Sequence, residues 1–339
     1  MARAGLLCSR NDKRRPRTRQ LTTALIFPGQ GSQQVGMGRA LADNFAVARI
    51  VFEEVDAALG EALSKTIFEG PEDALTLTAN AQPALMAVSI ATLRVLEAEA
   101  GLDVARHAAF VAGHSLGEYS ALAAAGSLAV PDAARLLRIR GDAMQKAAPV
   151  GAGAMAALLG LDLETARAVA AEAAEDDVCQ SANDNAPGQV VISGSRAAVE
   201  RALVIAKTRG AKRALLLPVS APFHCAMMQP AADVMREALS HVRIAAPKSP
   251  VVANVTASPL TDPEAIRASL VAQVTGAVRW RESVAFMAGA GVTRFIEIGA
   301  GKVLAGLVKR IAADVTAESV GAPDDVARVK AEAGFASAA

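Results

Sequence analysis

The chain has 339 residues, 52% hydrophobic and 20% charged, with a formal net charge of +1. It is long enough to bury a large core and to hold more than one domain. Aromatic residues are only 3% of the chain, which removes the stacking ladder of a single-stranded nucleic-acid binder; no apolar run reaches the ~18–20 residues of a membrane span.

The first twenty residues stand apart. Arg3, Arg10, Lys13, Arg14, Arg15, Arg17 and Arg19 face one acid, Asp12, so removing this +6 leaves the remainder at −5. With no amphipathic periodicity, cleavage pattern or apolar h-region, residues 1–20 read as a disordered basic extension rather than a nucleic-acid arm or transit peptide. Cys8, Cys179 and Cys225 are odd in number and lack a C-x-x-C spacing. They read as free thiols of a reducing compartment, and the chain is expected to be cytoplasmic.

Residues 21–27, LTTALIF, predict a buried strand stopped by Pro28-Gly29-Gln30-Gly31. That loop is either an ordinary β-turn or a set of backbone N–H groups offered to an oxyanion. Helical spacing predicts one helix over 39–59 and another over 78–96, with Pro83 in the first turn of the latter. Residues 108–125, AAFVAGHSLGEYSALAAA, read as strand, sharp turn and helix with Ser115 at the apex. Gly113 and Gly117 leave the turn unobstructed, so Ser115 can project its Oγ while the next N–H, that of Leu116, faces a reacting carbonyl. In an Ala/Gly-rich chain the same five residues also suit a plain turn. Two helices are expected over 131–140 and 141–148; from these alone Arg135, Arg138 and Arg140 read as solvated charge.

Strands over 154–161, 178–183, 188–194 and 214–219, with helices over 163–174 and 196–209, give a βαββαβ order. This is the order of a ferredoxin-like unit, expected at 151–219 as an insertion in an α/β domain formed by 21–150 and 220–313. The chain then continues as a loop around Phe223-His224-Cys225, a helix from 230, a strand over 251–255, helices over 265–274 and 280–288, a strand over 293–298 and a helix over 303–312. Residues 314–339 are small and polar and read as a frayed tail.

A serine needs a base, usually histidine. Of the four, His114 sits beside Ser115 and should point away from Oγ, His107 lies at the remote end of the strand, and His241 ends a polar helix. His224, on a loop C-terminal to the serine, remains as the base if the turn is an elbow. No acid stands out as a third member.

FPGQGSQ, AGHSLGEYSAL, RGDAMQ, NDNAPGQVVISG, PFHCAMMQP and EIGAGKVL, in this order over about residues 21–313, resemble the malonyl-CoA:acyl carrier protein transacylase family of fatty-acid synthesis. The resemblance implies an α/β-hydrolase-like core with a ferredoxin-like small domain. It implies transfer of malonyl from malonyl-CoA to the phosphopantetheine thiol of acyl carrier protein through a malonyl-Ser115 intermediate. His224 would be base and then acid, and the N–H groups of Gln30 and Leu116 the oxyanion hole. Arg140 would hold the malonyl carboxylate, as suits a guanidinium fork, and the backbone carbonyl of Gln273 would orient His224 in place of an acid. Gln82, His114, Asn183 and Gln189 match pocket positions. Two departures, Ala277 and the Gly299-Ala300-Gly301 turn, stand where the family often has proline. Phe223 suits malonyl over methylmalonyl. A monomer with no resident cofactor or metal is expected, meeting neither nucleic acid nor membrane. An acidic carrier would dock on basic residues such as Arg209, Lys212, Arg213, Lys302, Lys309 and Arg310. The alternatives are a serine hydrolase or thioesterase on the same core, a trans-acting polyketide synthase acyltransferase, and a non-catalytic carrier-binding module.

Overall fold

Strand β1, Thr23–Phe27, is buried along its whole length and organises the larger sheet. Alternate residues point to opposite faces of a strand. Leu25 and Phe27 therefore join a core with Leu85 and Leu122, whereas Ala24 and Ile26 join another with Trp280 and Phe295. A strand covered on both faces reads as a continuous apolar run, as TALIF does. The computed structural model describes residues 22–149, 151–219, 221–332 and 335; the basic leader expected at 1–20 lies outside them.

The larger sheet is completed by β2 (Ala108–Gly113), β7 (Val251–Val252), β8 (Pro259–Leu260), β9 (Arg294–Ile298) and β10 (Thr316–Val320), in the order β10-β9-β1-β2-β7-β8. All pairings are parallel except β7 with β8. The smaller sheet comprises β3 (Gly153–Leu159), β4 (Cys179–Ala186), β5 (Gln189–Ser195) and β6 (Arg213–Leu216), antiparallel in the order β4-β5-β3-β6. One face packs Leu158 and Ile192 against helices Leu163–Ala174 and Arg196–Thr208. The other face turns Met155 and Val191 toward a cleft beneath the larger sheet's C-terminal edge.

The smaller sheet is tied by main chain as well as by side chains to the segment that leads into helix Trp280–Gly289. Asn183 forms an isolated parallel bridge with Val278, in which Asp184 N–H donates to Val278 O and Val278 N–H to Ala182 O. The buried Asp184 carboxylate also takes both Nε and Nη2 of Arg281.

Several boundaries differ from those expected. The helix expected over 39–59 is broken at Phe45, which is extended, into Arg39–Asn44 and Ala46–Leu59. The two helices expected over 131–148 are one, Val130–Lys146. It runs through Gly141, which is a glycine because the helix there crosses Ala79 so closely that a Cβ would sit 2.6 Å from the Ala79 Cα. The frayed tail expected at 314–339 is corrected over most of its length. β10 pairs with β9, and helix Pro323–Ala331 buries Val326 and Val329. Glu318 links Arg294 to Arg328 across this edge. Small, polar composition concealed a strand whose two buried residues, Ala317 and Val320, carry its packing. Among the described residues no helix is long and apolar enough to cross a membrane.

Candidate active site

Ser115 stands between the end of β2 and helix Gly117–Ala124 with φ 54°, in the left-handed region. Such a conformation is costly for a residue with a Cβ and persists only where its surroundings enforce it. The surroundings here are very tight. A Cβ on Gly113 would lie 1.9 Å from the Gly117 carbonyl, and one on Gly117 would lie 2.3 Å from Phe27 O. Both glycines are required for strand, turn and helix to meet. Asn254 locks the turn from the side, accepting from Ser115 N–H at 2.7 Å and donating to Gly113 O at 2.7 Å.

His224 also has a positive φ, 60°, and is buried. Its Nε2 lies 2.8 Å from Ser115 Oγ, and its Nδ1 faces two main-chain carbonyls, Gln273 O at 2.9 Å and Gly276 O at 3.1 Å. Carbonyls only accept, so Nδ1 carries the proton and Nε2 is free to accept from the serine hydroxyl. Burial, then the nearby Arg140 charge, push the imidazole down to about 3, against the two carbonyls. The ring is therefore a neutral base at neutral pH. Ala277 in place of proline leaves the carbonyls on the histidine.

Arg140 is 1% exposed at the buried side of helix Val130–Lys146. Its Nη1 donates to Gln82 Oε1 at 2.7 Å; its Nη2 donates to Gln273 Oε1 at 2.9 Å and to Ser115 Oγ at 3.1 Å. Burial lowers its pKa, with Tyr119 and Glu118 opposing. Arg135 and Arg138, indistinguishable from Arg140 by composition, instead hold surface partners: Asp132 and the Ala58 carbonyl for Arg135, Glu61 and Asn80 for Arg138. Helix phase separates them.

Ser115, Arg140 and His224 line a cavity of about 770 Å³ together with Gln30, Gln82, His114, Asn183, Asn185, Met155, Val191 and Phe223. The Gln30 and Leu116 N–H groups are in none of the turn hydrogen bonds of the described residues. His114 points away from Ser115, with Nε2 2.8 Å from Asn185 Oδ1; burial lowers its pKa more than that bond raises it. Gln189 departs from expectation. It begins β5 at the hairpin, outside the cavity lining, and its side chain accepts from Arg310, which also donates to Pro187 O. Arg310 is thereby engaged, as is Arg209 with Glu172. Sequence reading missed Asn254, Asn185 and Glu118. Only Glu118 carried a signal, a charge one residue inside the small-residue helix after the elbow.

An α/β chain with a serine elbow, a carbonyl-held histidine and a buried arginine around one cavity has the makings of an acyl-transfer enzyme. Residues 24–328 match the family described as acyl transferase domain. The malonyl CoA-acyl carrier protein transacylase of Escherichia coli K12 is 47% identical over 304 residues, covering 90% of this chain and 97% of that protein. An acyl-carrier-protein S-malonyltransferase from Bartonella henselae, a crystal structure, is 56% identical with TM-score 0.90, covering 93% of this chain and 100% of that one. A malonyl-transacylase solved in complex with a type II polyketide acyl-carrier protein is 44% identical with TM-score 0.88, covering 91% of this chain and 99% of that one. The chain belongs to the malonyl-CoA:acyl carrier protein transacylase family.

Proposed function

We propose that the malonyl-CoA:acyl carrier protein transacylase activity of this chain runs through a malonyl ester of Ser115. The enzyme moves malonyl from malonyl-CoA to acyl carrier protein. In the first half, Ser115 Oγ attacks the thioester carbonyl while His224 Nε2 takes its proton. The N–H groups of Gln30 and Leu116 receive the oxyanion, a contribution typically worth ~3–4 kcal/mol. The C–S bond then breaks and the departing CoA sulfur takes the proton from His224. In the second half the carrier's phosphopantetheine thiol gives its proton to His224 and attacks the ester, and Ser115 leaves with that proton. Electron pairs and protons balance with no further reactant.

One observation carries this reading: Arg140 Nη2 lies 3.1 Å from the same Ser115 Oγ that lies 2.8 Å from His224 Nε2. Malonyl holds its carboxylate one methylene from the reacting carbonyl, so its cation must stand beside the nucleophile. Pairing Arg140 with that carboxylate also neutralises the charge that disfavours a protonated His224. Acetyl, lacking a carboxylate, leaves both penalties in place.

The larger, mostly parallel sheet reads as an α/β-hydrolase-like catalytic domain, interrupted at 151–219 by a ferredoxin-like small domain. The βαββαβ order, the strand order β4-β5-β3-β6 and a separate core support this. The free, buried Cys179 and Cys225 support a cytoplasmic setting.

Mass spectrometry of the chain mixed with malonyl-CoA tests the mechanism. A malonyl adduct on Ser115, passed to added carrier protein and lost in Ser115→Ala, is the expected result. Release of free malonate without carrier, or an adduct that survives Ser115→Ala, would sink it.

A further inference from the structure

The guanidinium of Arg140 is buried, yet no carboxylate among the described residues touches it. Its hydrogen-bond partners are two amide oxygens and the serine hydroxyl. Its orientation therefore depends on how those amides are themselves held. The Gln273 amide has two ends: Oε1 accepts from Arg140, while Nε2 donates to Glu118 Oε2 at 2.8 Å and to Ser115 O at 3.0 Å. Turned by 180°, the same amide would aim its NH2 at a guanidinium that only donates. An ionised carboxylate and a carbonyl only accept, so they select the Nε2 end and leave Oε1 for Arg140. Glu118 is 2% exposed, and its Oε2 also accepts from Asn254 N–H at 3.0 Å. Burial pushes its carboxyl up to about 7, while the bonds from Asn254 and Gln273 and the charge of Arg140 resist the rise. A buried carboxyl group is expensive, and this one lies on none of the bonds that form or break in acyl transfer.

We propose that Glu118 is the positioning residue for malonyl selection: it locks the Gln273 amide so that Arg140 is held beside Ser115 where the substrate carboxylate must arrive. The inference rests on Arg140 as the carboxylate's partner. Glu118 acts through Gln273 and Arg140 and touches no reacting atom.

The test compares kcat/KM for acylation of the full chain by malonyl-CoA and by acetyl-CoA in wild type, Glu118→Gln, Arg140→Ala and the double variant. A neutral amide of the same shape can still place an oxygen between Asn254 N–H and Gln273 Nε2, but it is a weaker acceptor than a carboxylate and loosens the hold on the Gln273 amide. Glu118→Gln is expected to lower the malonyl:acetyl ratio about tenfold, chiefly by raising KM for malonyl-CoA. In the Arg140→Ala background the same change should move the ratio less than about twofold, because the residue it acts through is gone. Equal losses for both substrates would reduce Glu118 to a prop of the elbow and overturn the proposal. So would the same ratio loss in both backgrounds. If Arg140→Ala leaves the ratio at its wild-type value, the carboxylate reading itself fails, and that result is seen independently of Glu118. Should Glu118→Gln not fold, Gln273→Met is used instead: it keeps the main-chain carbonyl on His224 and cuts the same link, and an unchanged ratio there overturns the proposal equally.

Discussion

The two sheets do different kinds of work. Around the C-terminal ends of β1 and β2, polar residues are bonded to one another through side chain and main chain: the half-buried Ser115 and the buried Glu118, Arg140, His224, Asn254 and Gln273 form one connected set. The smaller sheet meets the same cavity chiefly with Met155, Val191 and the amides of Asn183 and Asn185, and keeps a separate apolar core behind them. One region holds reacting groups at fixed angles; the other supplies a wall. A connected buried network transmits any single loss to its neighbours, whereas a wall of independent contacts does not. The region of the reacting groups should therefore be brittle and the wall tolerant.

The hardest blow is to the proposed base. His224→Ala should slow Ser115 acylation about 10³-fold for malonyl-CoA and acetyl-CoA alike, measured by single-turnover mass spectrometry. A loss under tenfold would remove His224 from the reaction. Asn254→Ala comes next, since it frees Ser115 N–H and Gly113 O together. Misplacing the nucleophile by about 1 Å can cost about 10²-fold, here without changing the malonyl:acetyl ratio. Activity near wild type would mean that the glycine contacts alone hold the elbow.

The pH profile probes the same brittleness. With His224 held down at about 3, the base stays neutral as pH falls through the ordinary histidine range. The acid limb of kcat/KM with acetyl-CoA should show no histidine inflection near about 6.5. Arg140→Ala removes one of the two main causes that depress the imidazole, so its acid limb should move to higher pH. An unmoved limb would assign the depression to burial alone.

The junction between the regions should respond less. Arg281→Ala leaves the buried Asp184 carboxylate without its fork and is expected to cost about 1–3 kcal/mol of stability, read by denaturant unfolding, with catalysis little changed. A large loss of catalysis would instead couple the bridge at Val278 to the nearby carbonyls that hold His224. The smallest effect is expected within the wall: Val191→Ala should change kcat/KM for malonyl-CoA by less than about threefold. A larger loss would erase the contrast between the two regions.

Much of this was legible in the residues. Buried parallel strands announce themselves by unbroken apolar runs, and an elbow by a serine between two glycines, because both are local in sequence. Elimination among four histidines found His224 because only a loop residue C-terminal to the serine had freedom to reach it. Single residues of equivalent local chemistry were not distinguishable by composition or spacing, and Arg140 was singled out by the family resemblance alone. Arg135, Arg138 and Arg140 share one helix, and only the neighbours across the helix decide which is buried. The tail hid for a related reason. β10 is held by pairing with β9 and by the ion pairs of Glu318, both contacts with residues distant or unremarkable in the chain.

By itself, then, the chain determined most of the strands, though not β8 or β10, together with the turn at Ser115, the choice of His224 as candidate base and the family to which these residues point. These rest on patterns that span a few residues, or on ordered motifs. Only the tertiary structure decided that Asn254 locks the elbow, that Gln273, beyond presenting its main-chain carbonyl to His224, holds Arg140 with its side chain, that Gln189 lies at the hairpin, and that a buried Glu118 stands behind the arginine. Hydrogen-bond partners 25 to 158 positions apart meet only when the sheets close. An amide's direction is set by what faces each of its ends, which no local pattern records.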